Sequence, residues 1–96
     1  MKKVNGMFGI KTIQSWATKG EKIDVWACKD LFSEGYYKLR QYDAVTVEEN
    51  LPEILNDMYR LFNLSGRALL LQVAGSRHMV YAKEYSDHIF LTLITR

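Results

Sequence analysis

Two histidines, His78 and His88, and one cysteine, Cys28, are the side chains best able to do chemistry near neutral pH. His88 follows Asp87 and lies near Glu84, a composition that suits a general base with an orienting carboxylate. Pairing the last two expected strands about a turn near Ser86 sets Glu84 opposite His88 and Ile94 opposite His78. The histidines then sit at opposite ends of one hairpin, too far apart to share a metal or a proton. His88 therefore reads as a turn residue beside two acids. A nucleophilic thiol needs a base or a positive field. The sequence places no histidine near Cys28, and on a strand the adjacent Lys29 would point to the opposite face. Cys28 reads as structural. With one cysteine the chain forms no internal disulfide and no thiolate zinc site. Neither glycine-rich phosphate loop, nor the nucleophile elbow, nor a His-Glu-x-x-His helix occurs. The expectation is no catalytic residue, no metal, no cofactor and no enzyme.

The segment suited to binding is Tyr36-Tyr37-Lys38-Leu39-Arg40-Gln41-Tyr42. As a regular strand it sets Tyr36, Lys38, Arg40 and Tyr42 on one face. Flat rings stack on bases, and cations between them meet phosphates, as on sheets that bind single strands. The same residue types anchor protein interfaces, and Tyr37 adds another ring. Trp26 and Trp16, with Lys11, Lys19 and Lys22, extend the face if the first hairpin lies beside this strand. Two Trp, six Tyr and four Phe are a generous supply for 96 residues.

The bulk numbers bound the rest. Hydrophobic residues are 48% and charged residues 25%, ordinary for one globular domain over 1–96. The formal net charge of +2 is unevenly spread. Residues 43–57 hold Asp43, Glu48, Glu49, Glu53 and Asp57 with no basic residue, between two mildly basic stretches. Carboxylates at a helix start explain this run, because the helix dipole favours them there. No apolar window is long enough to span a membrane, and the Lys2-Lys3 start leads into no apolar run of signal-peptide length. A cytoplasmic protein without membrane contact is expected.

These residues need elements to position them. Asn50 as N-cap, Pro52 in the first turn and Glu53 as capping-box partner predict a helix over 51–63. Leu51, Ile54, Leu55, Met58, Tyr59, Leu61 and Phe62 form its apolar stripe. Asn63 and Gly66 stop it. Residues 67–95 read as a three-stranded antiparallel meander, with turns at Gly75-Ser76 and 85–87. The apolar run 89–94 calls for cover on both faces. Residues 8–19 fit either a strand or a helical stripe through Ile10, Ile13, Trp16 and Ala17. Thr12, Thr18 and the flanking glycines tip the expectation to strand, with Lys19-Gly20 as a hairpin tip and 22–29 as the return. Residues 30–35 read as a loop or single turn, and 36–47 as extended with a break at Asp43. The expected fold is α+β: one amphipathic helix on an antiparallel sheet of five to six strands.

Residues 67–96, a meander with basic residues at strand starts and a terminal Arg96, resemble the C-terminal sheet of RelE-type ribonuclease toxins. That resemblance implies a metal-independent ribonuclease, with Arg67, Arg77, His78 and Tyr81 facing RNA. The leading expectation is a small non-enzymatic binding module. It docks on and modulates or inhibits a larger protein or nucleoprotein machine, in the manner of viral and mobile-element accessory factors. A single-stranded RNA or DNA binder is the alternative from a second class. A second copy of the chain is a further candidate partner, since unpaired edge strands invite pairing.

Overall fold

The computed structural model describes residues 4–28 and 36–95. The elements run β1 (Val4–Phe8), α1 (Ile10–Thr18), β2 (Ile23–Cys28), β3 (Tyr36–Tyr42), α2 (Ala44–Glu49), α3 (Leu51–Leu64), β4 (Leu69–Val73), β5 (Ser76–Glu84) and β6 (Ile89–Thr95). The fold is α+β, with three helices and one open sheet among the described residues, in the order β1-β6-β5-β4-β2-β3. Every neighbouring pair is antiparallel except β1 with β6. The expected loop at 30–35 lies outside the described residues.

Residues 10–18 form a helix and not the expected strand. As a strand, Ile10 and Ile13 would point to opposite faces. As a helix, Ile13 and Ala17 are buried, and Ile10 and Trp16 pack beside them on the core. Gathering four apolar side chains on one stripe outweighs the β-leaning of the two threonines. Gly9 makes the switch from β1 possible: it has φ +100°, and a Cβ there would come 3.1 Å from Cβ of Leu93. Lys19-Gly20 therefore closes α1 rather than turning a hairpin.

The extended reading of 36–47 holds only to Tyr42. Asp43 then caps α2, its carboxylate accepting from the Thr46 N–H at 2.8 Å. Pro52 donates no N–H and restricts Leu51, so the chain breaks between α2 and α3. Asn50 sits at that break with φ −129° and makes no side-chain cap, contrary to the capping-box expectation. Only its carbonyl serves, accepting from the Ile54 N–H. The α3 stripe is as expected: Ile54, Leu55, Met58, Tyr59, Leu61 and Phe62 are buried. Its end is a Schellman motif, with Arg67 N–H donating to Phe62 O and Gly66 N–H to Asn63 O.

All three helices lie on one side of the sheet. Val4, Met7, Ile23, Val25, Leu69, Leu71, Val80, Ile89, Leu91 and Leu93 point toward them and form the core. The overall extents of 35 × 34 × 20 Å are those of a two-layer slab. The meander is as expected, but its first turn is Ala74-Gly75, with Val73 opposite Ser76. The β5–β6 register is one residue off the expected one, so His78 faces Thr95 and Ile94 faces Met79.

Candidate binding face

Side chains alternate along a strand, so each residue between two core residues points away from the helices. On β4 these are Leu70 and Gln72, and on β5 Arg77, Met79, Tyr81 and Lys83. On β6 they are Phe90, Thr92 and Ile94, and on β2 Asp24 and Trp26. Cross-strand registers put Trp26 opposite Leu70, Leu70 opposite Met79, and Met79 opposite Ile94. Four adjacent strands thus present one apolar row. Tyr81, Thr92 and Phe8 form a second row in register beside it. Ile94 and Tyr81 are each 46% exposed and Phe8 is 66% exposed. Among the described residues no helix or strand covers this face.

Cations border the rows: Arg77 and Lys83 on β5, and Lys38 on β3. Lys38 is the Cα partner of Trp26, and its Nζ lies 5.4 Å from the indole centroid, a cation–π distance. Asp24 is the carboxylate of the described part of this face. It is held from the β3 side by Lys38 at 3.4 Å and by Gln41 Nε2 at 2.6 Å. The indole Nε1 of Trp26 is shut off from solvent and has no hydrogen-bond partner. An unsatisfied buried donor costs about 1–3 kcal/mol. A recess of about 110 Å³ on this face is lined by Trp26, Leu70, Gln72 and Arg77.

The expected face of Tyr36, Lys38, Arg40 and Tyr42 is split. A β-bulge lies between the Val25–Arg40 and Trp26–Lys38 pairs. The extra residue, Leu39, reverses which face the rest of the strand presents. Lys38 joins Trp26 on the open face, while Arg40 and Tyr42 turn toward the helices. There both meet Asp57 of α3, Arg40 at 2.7 Å and Tyr42 through its hydroxyl, and Arg60 completes the cluster at 2.6 Å. Burial, then the bond to Asp57, raises the Tyr42 phenol well above its usual range. Burial works against the Asp57 charge, but the bonds from Tyr42 and Arg60 and the Arg40 charge outweigh it and lower its pKa. The cluster clamps β3 to α3. Tyr37 is exposed opposite Ala27, on the other face from Lys38. The side chains of Tyr36 and Cys28 lie outside the described residues.

Trp16 belongs to the helix layer. Its ring sits 4.6 Å from that of His78, on the side opposite Trp26. His78 is buried there, and desolvation lowers its pKa, favouring the neutral ring. His88 meets Asp87 at 2.7 Å and stacks on Tyr85 at the far end of the hairpin. Glu84 turns away from it to bond Tyr59. Of the residues named by the toxin resemblance, Arg77 and Tyr81 share the open face, while His78 lies on the opposite side. Arg67 lies in the bend after α3. Among the described residues no three His, Cys, Asp or Glu side chains are grouped to hold a metal. No described helix is long and apolar enough to cross a membrane.

Sequence reasoning missed Leu70, Met79, Phe90, Ile94 and Phe8 as residues of the sheet face turned away from the helices. Their signal was present in Leu69-Leu70-Leu71 and in 89–94, where apolar residues fall on both strand faces. No family model matches the chain, and neither a curated protein nor a solved structure matches it.

Proposed function

We propose that this chain is a small non-enzymatic module that docks its open sheet face on a larger protein and modulates it. The supporting observation is the apolar row Trp26, Leu70, Met79 and Ile94 on the face away from the helices, buried at Leu70, half-buried at Trp26 and Met79 and exposed at Ile94, with Arg77, Lys83 and Lys38 around it. Exposed apolar rows rimmed by polar groups mark interaction surfaces. The basic rim selects a partner whose apolar patch carries an acidic rim. Ile94→Asp tests this, because the side chain is half exposed and its loss spares the core. A nuclease-resistant, stoichiometric partner captured by wild type is expected to be lost with Ile94→Asp at unchanged Tm. Retention by the variant, or capture of no such partner, overturns the reading, and a concentration-dependent dimer that Ile94→Asp dissolves assigns the face to a second copy.

The ring-and-cation set Tyr81, Phe90, Lys83, Trp26 and Lys38 favours a second reading, single-stranded nucleic acid on the same face. That reading requires oligonucleotide affinity that falls steeply with salt and with Tyr81→Ala.

A further inference from the structure

We propose that the open end of β5, at Ala82 and Glu84, takes an extended acidic segment of another protein as an added strand. This site lies beyond the apolar row and stands without it. Tyr85 N–H donates to His88 O across the β5–β6 turn, which makes that pair a hydrogen-bonded one. Bonded pairs alternate along an antiparallel ladder, so Tyr81 and Lys83 exchange their bonds with β6. Val80, Ala82 and Glu84 then direct N–H and C=O to the β4 side. Val80 meets Leu69 there, and the register ends at that pair. Continued, it would set Arg67 opposite Ala82 and Ser65 opposite Glu84. Arg67 instead has φ +70° and donates its N–H to Phe62 O in the Schellman end of α3. The N–H and C=O groups of Ala82 and Glu84 are left without a strand, and among the described residues no other backbone group bonds them.

A recess of about 280 Å³ opens at this gap, with Ala82, Lys83 and Glu84 of β5 lining it across from Phe62, Asn63 and Arg67. Its available charge is positive. The Arg67 side chain is exposed and makes no hydrogen bond or ion pair among the described residues. Lys83 lies over the Tyr85 ring at 5.5 Å and meets no carboxylate. Glu84, the acid of the lining, is engaged by the Tyr59 hydroxyl. An incoming acidic side chain therefore meets two cations. The backbone selects among anions: a phosphate supplies acceptors, whereas the two C=O groups call for donors. A peptide strand supplies both in the alternation that β5 presents, and unpaired edge groups are a template for such pairing. Residues 81–84 span about 13 Å at about 3.3 Å each, so the added segment is about four residues long.

The test uses the ¹⁵N-labelled protein and the backbone amide signals of Ala82 and Glu84. The probes are acetyl-Glu-Val-Glu-Val-Glu-amide, its Gln counterpart, a counterpart N-methylated at every residue, and hexathymidylate. The Glu peptide is expected to shift both signals saturably, with millimolar affinity, and to slow their hydrogen exchange. The Gln peptide is expected to bind about fivefold more weakly, and the Arg67→Gln protein to bind the Glu peptide about threefold more weakly, as exposed ion pairs allow. The N-methylated peptide has no backbone donor and is expected not to bind. Ile94→Asp is expected to leave the response unchanged. Absence of a saturable shift, equal binding of the Gln or N-methylated peptide, or a stronger response to hexathymidylate overturns the proposal. Slow exchange of both amides in the free protein overturns it too, since the edge would already be filled, by this chain or, where the protection grows with concentration, by a second copy. A response lost with Ile94→Asp assigns the peptide to the apolar row instead.

Discussion

Leu93 and Ile94 are neighbours of the same chemistry, yet Leu93 is 6% exposed and Ile94 is 46% exposed. They stand for the two faces of one sheet. Both faces carry apolar residues in register across several strands. The helix-covered face closes with Leu71, Val25 and Leu91 fully buried. The other face buries Leu70, half-buries Trp26 and Met79, leaves Ile94 and Tyr81 exposed, and borders them with Lys38, Arg77 and Lys83. Burial on the first face is what folds the chain. Exposure on the second is a cost that a folding argument does not explain, and a partner would recover it.

Truncation on the two faces should separate these roles most strongly. Leu71→Ala removes a fully buried side chain at the centre of the core. Such a cavity costs about 3 kcal/mol, and urea unfolding would read it as a lower midpoint at constant slope. Ile94→Ala should cost under about 1 kcal/mol. Equal losses would mean that the open face is covered in the free protein, and the comparison would collapse.

The Asp57 cluster gives a smaller effect and a pH signature. It holds Arg40 and Tyr42 to the helix side, away from the open face. Asp57 has a folded pKa below its ordinary 3.8, so its contribution is complete above that value and fades as pH falls through the folded one. Tyr42 is raised above its ordinary 10.0, so its contribution is complete below pH 10 and is lost at more alkaline pH. Asp57→Asn should cost about 1–2 kcal/mol at neutral pH and flatten the acid limb of stability. Tyr42→Phe should flatten the alkaline limb and leave the acid one. Unchanged pH limbs in both variants would show that the clamp does not hold β3 in place.

The legible parts of the fold were those set by local chemistry. The α3 stripe and the meander each follow from one periodicity repeated over several residues. The strand-or-helix ambiguity at 10–18 was settled by tertiary packing, since Ile13 and Ala17 needed the same core as Val47 of α2. The bulge at Leu39 has no turn residue to announce it. One inserted residue split the expected Tyr/Lys/Arg face, leaving Lys38 and sending Arg40 and Tyr42 to Asp57. The placing of Trp26 on one strand face with Asp24, opposite Ile23 and Val25, was legible because its strand is regular. Ile94 was not, because a one-residue slip in the β5–β6 register moved it from the His78 side to the open side.

Register therefore decides which side chains a face presents, and the β4–β5 turn is where it can be tested with the smallest change. Ala74 has φ +50° and Gly75 φ +83°, two left-handed residues in succession, as a type I′ turn requires. Alanine is strained there, whereas asparagine adopts this conformation readily and Asn-Gly is the favoured pair. Ala74→Asn should raise stability by about 0.5–1 kcal/mol, or about 3–5 °C in Tm. The same turn aligns Leu70 with Met79 on the open face and Leu69 with Val80 on the helix face. A firmer turn should strengthen both alignments, so stability should rise with partner docking undiminished. Higher stability with weaker docking would mean that the open face must deform to bind, and that its row is not preformed.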